Sequence, residues 1–298
     1  MRFRRRRPEE LPDEPLLRVA VVTDSTAMLS AEAVAEHGVT VVPLQVVVDG
    51  VPHDEGTPGA GPEAIVAALT ARKAVTTSRT APAVLAGLYA SLGVEGYDEV
   101  VSVHLSGGLS GTVEAARQAA AAVHVPVAVV DSQTAGPALG GAVLAAARVV
   151  ADGGDADEAA AAAIAHVEAS HSFFYVDSLE YLRRGGRIGT ATALLGSALA
   201  VKPLLTLAEG RVVLHERVRT SARAIARLQE LAVEAALESA GGDAVVSVAH
   251  LASAERAEAL AAGLAERLGR PVPVGEIGAV LGAHLGPGAL AVVVEPAG

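Results

Sequence analysis

Cysteine is absent from all 298 residues, which removes disulfides, thiol nucleophiles and thiolate metal sites at once. Redox usage therefore leaves the compartment unmarked, and cytoplasm is the expected location. Aromatic residues make up only 2% of the chain, leaving few platforms on which bases could stack. Positive charge is scarce as well. A formal net charge of -11 argues against a nucleic-acid partner, whose phosphates need a clustered basic surface. Long apolar runs are missing too: the stretch from Ala193 to Val201 contains Gly196 and stops at Lys202, too short to cross a bilayer. No integral membrane segment is expected. The opening "MRFRRRRPEELPDEP" lacks the apolar core of a secretory signal, and residues 1–17 read as a disordered basic and acidic tail.

What remains is a chain that is 51% hydrophobic, long enough to bury two cores. β-branched runs alternate with helical segments. "RVAVVT" (18–23), "VTVVPLQVVV" (39–48), "DEVVSVHL" (98–105) and "VPVAVVDS" (125–132) read as strands, with Pro43 marking a bend or an edge. Ser30 reads as the cap of one helix, Pro62 as the first turn of another, and Thr112 to Val123 as a third. "DGVPHDEGTPGAG" (49–61) and "AVTTSRTAPA" (74–83) read as loops. "ADGGDADE" (151–158) breaks the composition, and Asp155 with Glu158 begins an alanine-rich helix with a capping box. Beyond it come a strand at 172–176, the loop "RRGGR" (183–187), a helix at 190–200 and two strands around "AEGR" (208–211). Helices from Ser221 and Ser253 and strands at 243–250 and 289–295 complete the pattern. The expected class is α/β, and parallel βαβ units place ligands at the carboxyl ends of strands. "TDST" (23–26), "SGGLSGT" (106–112) and "DSQT" (131–134) should then share one rim.

The loop "SGGLSGT" leads from a strand into a helix, so its backbone amides and the helix dipole favour an anionic group. Ser110 stands where an N-cap would. No "GxxxxGK[ST]" occurs, and "GGLSGT" lacks the dinucleotide spacing. Thr112 occupies the place where a nucleophile elbow needs glycine. "YLRRGGRIG" (181–189) gathers three arginines, among which Arg187 has glycines on either side that leave room for an anion. His284 precedes a Gly-Pro-Gly turn without the HExxH pattern or carboxylates of a catalytic zinc site, so no metal is expected.

Eight segments in register, "VVTDST", "VTVVPL", "TTSRTAP", "HLSGGLSGTVEAA", "VAVVDS", "FFYVDSLEYLRRGGRIG", "VKPLLTLAEGRVVLHERVRTSARAI" and "GAHLGPGAL", resemble the DegV family of bacterial fatty-acid-binding proteins. The resemblance implies one unit over about 18–296, with a parallel-sheet domain at 18–169 and a mixed-sheet domain at 170–298. One long-chain fatty acid such as palmitate would lie between them. It implies no cofactor and no catalysis: the protein would present the carboxylate to a fatty acid kinase for phospholipid synthesis, with transient membrane contact allowed. Carried over from the family, Thr77 and Ser110 hold the carboxylate, Ser106, Gly111 and Thr112 accompany them, Arg187 and His284 lie near the head, and Arg219 docks the kinase. Two departures stand out. Arg79 and an added residue lengthen Thr76–Pro82, so that Thr76 or Ser78 could replace Thr77, and Gly107 stands where relatives carry a second serine. The rival is a serine acyl hydrolase with Ser110 as nucleophile, His284 as base and Asp24 or Asp131 as orienter.

Overall fold

The computed structural model describes residues 17–194, 202–239 and 243–297. Its first half runs β1 (Val19–Asp24), α1 (Ala31–His37), β2 (Val39–Val42), β3 (Gln45–Val48), β4 (Val51–Asp54), α2 (Pro62–Thr70), β5 (Val75–Ser78), α3 (Pro82–Val94), β6 (Glu99–His104), α4 (Thr112–Ala120), β7 (Val127–Asp131), α5 (Pro137–Ala151) and α6 (Ala156–Glu168). The second half runs β8 (His171–Tyr175), α7 (Glu180–Arg184), β9 (Lys202–Ala208), β10 (Arg211–Val218), α8 (Ser221–Glu238), β11 (Val245–His250), α9 (Ala254–Leu268), β12 (Val274–Glu276), α10 (Ala279–Leu285) and β13 (Leu290–Glu295).

Valine-rich β1 and β6 are buried on both faces, as the central strands of a helix-covered parallel sheet must be. They form the middle of a parallel sheet in the order β2-β1-β6-β7. Pro43 does more than bend a strand: it separates β2 from β3, which leaves that sheet for an antiparallel one ordered β4-β3-β5. Two segments expected as loops are therefore strands, since β4 and β5 pair with β3 on either side.

The second half is a mixed sheet ordered β10-β9-β8-β13-β11-β12, in which only β11 and β12 run parallel. Alternation divides its faces. Phe173, Tyr175, Leu204, Val246, Val292 and Val294 pack with the Ala224, Leu228, Leu231, Ala232 and Ala235 stripe of α8. Phe174, Leu205, Val212, Ala249 and Ala291 point to the opposite face, towards the first half.

Several helix ends follow the sequence. Ser30 caps α1, Pro62 opens α2, and Asp155 and Glu158 form the expected box on α6. The helix from Thr112 stops at Ala120, earlier than read. Gly189–Leu194 is a 3-10 segment, and the rest of the helix expected at 190–200 lies outside the described residues, as does the tail through residue 16. We place the division between the halves at 169–170, because α6 packs on α5, β6 and β7 and the chain then enters β8. One short helix crosses it. α10, unread in the sequence, packs against α7 of the second half and against α2, β3 and β5 of the first. Its start is tied down by Glu55, whose Oε1 accepts the Val280 N–H at 2.8 Å. Burial raises the Glu55 pKa, with that bond acting in the other direction.

Candidate functional site

The three strand-end loops do meet at one rim, and a buried carboxylate organises them. Asp24, ending β1, accepts the N–H of Leu105 and the ring of His104, each at 3.0 Å, on one oxygen; Thr26 binds the other. His104 Nε2 continues to Ser102 Oγ at 2.8 Å, and Ser102 to the Tyr89 hydroxyl at 2.8 Å. Asp131, ending β7, accepts the Gly107 N–H at 3.0 Å. A Cβ at Gly107 would lie 2.7 Å from Asp131 Oδ2, so a serine there would displace this contact. Ser106 takes Thr134 as backbone acceptor, donates its hydroxyl to the Gly210 carbonyl at 2.7 Å, and receives the Gly108 N–H at 3.0 Å. The loop is thereby clamped to the β9–β10 hairpin.

From this frame the chain rises to Leu109, Ser110 and Gly111. Gly111, rather than Ser110, is the N-cap of α4, so the expected capping role falls away. The Ser110 hydroxyl pairs with that of Thr112 at 2.9 Å. Arg187 Nε donates to the Leu109 carbonyl at 2.8 Å, and Arg79 Nη1 to that of Gly111 at 3.2 Å. Two guanidinium groups, one from each half, converge on one loop.

Across from it, β5 alternation turns Thr77 inward while Thr76 and Ser78 are exposed. Thr77 Oγ1 and His284 Nε2 are 2.8 Å apart, a contact between halves that exists because α10 crosses the boundary. Burial first, then the Arg187 charge, lowers the His284 pKa to about 4, so the imidazole is neutral near pH 7. Its Nδ1 is buried, has no hydrogen-bond partner among the described residues, and packs on Gly185, where a Cβ would intrude to 2.1 Å. Glycine is required there by close approach.

These groups border a cavity of about 420 Å³ between the halves. Most of its wall is aliphatic or aromatic, with Leu105, Leu109, Phe174, Val212, Ile277 and Leu281 drawn from both. Thr77, Ser110, Gly111, Arg187 and His284 line it; Ser78 and Arg79 join them. Ser106 and Thr112 do not, contrary to expectation. The Ser106 hydroxyl is used in the hairpin clamp, and Thr112 is wholly buried behind Ser110. Arg219 is exposed after β10, away from this wall. Arg79 was readable only as a departure from family pattern, since its place on the cavity lining depends on the pairing of β5 with β3.

The hydrolase relay is not assembled. Ser110 pairs with Thr112, His284 with Thr77, Asp24 with His104, and Asp131 with the N–H groups of Gly107 and Gln133. Asp24–His104–Ser102 has the order of a triad, but Ser102 is fully buried and lines no part of the cavity. Among the described residues, no cluster of three His, Asp or Glu side chains is placed to hold a metal, and no helix is long and apolar enough to cross a membrane.

A family model described as "Uncharacterised protein, DegV family" matches residues 18–297. The chain belongs to the DegV family. A DegV domain-containing protein of Streptomyces coelicolor is 49% identical over 279 residues, covering 93% of this chain and 98% of its own. Among solved structures, a fatty-acid-binding DegV family protein from Thermus thermophilus is similar at 33% identity with a TM-score of 0.86, covering 94% of this chain and all of its own (100%). DegV of Bacillus subtilis, described as a fatty acid binding protein, is similar at 32% identity and a TM-score of 0.85, covering 94% and 99%. A stearic-acid-binding protein from Eubacterium ventriosum shares 25% identity with a TM-score of 0.84, covering 93% and 98%.

Proposed function

We propose that this DegV-family chain is a non-catalytic carrier that holds one long-chain fatty acid, such as palmitate, in the cavity between its halves. The observation that carries this reading is the joining of an apolar cavity of about 420 Å³ to one polar wall built from hydroxyls, guanidinium groups and a neutral histidine. That volume lies within the usual range of small-molecule pockets. A sixteen-carbon tail brings roughly fourteen methylenes, which at about 0.8 kcal/mol each set a ceiling near 11 kcal/mol before ordering costs. The tail supplies affinity. A buried carboxylate must recover its lost hydration through hydrogen bonds, and in this reading Thr77, Ser110, the Gly111 amide, Arg187 and His284, all on the cavity lining, provide them.

The carrier works in the cytoplasm beside a fatty acid kinase, with Arg219 on the docking face. There a carboxylate oxygen forms a bond to the γ-phosphorus of a nucleoside triphosphate as the bond from that phosphorus to the β,γ-bridging oxygen breaks. Nucleoside diphosphate leaves and the acyl phosphate goes forward to phospholipid synthesis. The kinase supplies the nucleotide; this chain supplies orientation. The test is acyl phosphate formation by a fatty acid kinase with and without the palmitate-loaded protein. Product only in its presence, and less product with Arg219→Ala at equal palmitate loading, is expected. Equal product without the protein would overturn the partnership, and ester cleavage by the protein alone would overturn the carrier reading.

A further inference from the structure

The helix that carries His284 is itself held from the other half. α10 brings Val280, Leu281, His284 and Leu285 to the cavity, and Val280 and His284 stand one turn apart on the same helix face. Seven residues are too few for a helix to stand alone, and its N-cap, Gly278, offers no side chain to the free amides of the first turn. The acceptor comes instead from Glu55, 225 residues earlier, whose Oε1 takes the Val280 N–H at 2.8 Å. Glu55 on the first turn and Thr77 on the last thus hold α10 from the first half.

Glu55 is anchored on its own side. Its N–H donates to the Leu44 carbonyl at 2.8 Å and the Leu44 N–H to Ser25 Oγ at 3.0 Å, which ties it to the turn after Asp24 and to a residue of the cavity wall. The approach to α10 is close: a Cβ at Gly278 would come to 2.6 Å from Oε1, so glycine is what lets the helix start meet the carboxylate. Burial works against a carboxylate here, while the Ser25 hydroxyl and the Val280 and Ala279 amides work for it. Glu55 lines no part of the cavity that His284 faces; with Asp24, Ser25 and Glu276 it borders a separate one of about 280 Å³. Any influence it has on an acyl ligand passes through α10.

We propose that Glu55 is a positioning residue of the fatty acid site, which sets the place of His284 against Thr77 by capping α10 across the boundary between the halves. This rests on the fatty acid reading of the cavity. Without the cap the first turn of α10 loses its acceptor, the helix shifts on the first half, and His284 Nε2 leaves the position it shares with Thr77 on the polar wall. Affinity then depends on a carboxylate that touches no ligand.

The experiment measures palmitate affinity by displacement in wild type, Glu55→Ala, His284→Ala and the double variant, and follows the His284 ring titration by NMR. Glu55→Ala should weaken palmitate binding on the order of fivefold, about the effect of one lost hydrogen bond. Where His284 is already alanine the same change should cost less than about twofold, because residues that act through one another are not additive. Glu55→Ala should also move the His284 titration from about 4 towards its ordinary 6.5, as water reaches the ring. Glu55→Gln keeps an acceptor and should restore both readouts. Gly278→Ala, which presses on Oε1 from the helix side, should reproduce the loss with Glu55 intact, and it decides the question in the same cycle if Glu55→Ala does not fold. Equal losses with and without His284, or a His284 titration that does not move, would overturn the proposal. Wild type, Glu55→Ala and Gly278→Ala binding palmitate equally well overturns this proposal alone; wild type that binds no palmitate overturns the fatty acid reading beneath it.

Discussion

A buried and a half-buried histidine lie on either side of the same loop and are used in opposite ways. His104 is closed on both nitrogens: Asp24 holds Nδ1, Ser102 holds Nε2, and Tyr89 ends the chain of bonds, all out of contact with solvent. Among the described residues His284 has one partner, Thr77, and an unpartnered Nδ1, with a cavity on its face. A satisfied polar network in a core is scaffold, whereas a polar group left short of partners beside an apolar void fits the ligand site proposed above. Neither composition nor motif distinguishes the two rings; their neighbours do.

The widest separation between them should come from deleting the hub of the closed network. Asp24→Ala leaves the His104 ring and the N–H groups of Thr26 and Leu105 without their acceptor. A loss of about 3 kcal/mol or more is expected by denaturant titration, with fatty acid binding lost only as the fold is lost. His284→Ala should do the reverse. Palmitate affinity falls on the order of tenfold in a displacement assay while the denaturant midpoint moves little, since one hydrogen bond is worth about 1 kcal/mol. Ser110→Ala should be milder, about threefold to fivefold weaker binding with the fold intact, because the Gly111 amide and Arg187 remain. If His104→Ala and His284→Ala gave the same pattern, the contrast would fail.

At neutral pH the smallest contribution comes from titration, which shows only on acidification. The His284 pKa is lowered in the folded protein to about 4, so between its ordinary value near 6.5 and 4 the unfolded chain binds more protons. Stability from this group is present above about 6.5 and lost as the pH falls towards 4. Glu55 acts in the opposite sense, since its raised pKa favours the folded state below about 4.5 and that contribution fades as the pH rises. Subtracting the pH–stability curve of His284→Ala from that of the wild type removes the Glu55 contribution. The difference should slope upward with pH between about 4 and 6.5; a flat difference would put His284 outside the buried wall.

Much of the first half was legible because its signals are local. The valine runs of β1 and β6, the Ser30 cap, Pro62, and the Asp155–Glu158 box each depend on neighbours within a few residues. The shared rim of Asp24, Ser106 and Asp131 followed from strands alternating with helices. What escaped depends on distant pairing. β4 and β5 are four residues each, largely exposed and without apolar alternation, and become strands only because β3 lies between them. α10 has seven residues between glycines, and its packing partners in the first half lie some two hundred residues away in sequence, with Thr77 and His284 separated by 207 positions. The same limit misplaced Ser106, whose hydroxyl is claimed by a hairpin carbonyl 104 residues on. It also hid Arg79, which follows β5 and reaches the Gly111 carbonyl.

Native mass spectrometry of the purified full-length protein tests the central claim most directly. The expected spectrum shows one added mass equal to a long-chain fatty acid, released intact on denaturation, restored by palmitate, and reduced in His284→Ala but not by mild changes at exposed sites. A bare protein mass that stays bare after incubation with palmitate would contradict an acyl chain lying between the two halves.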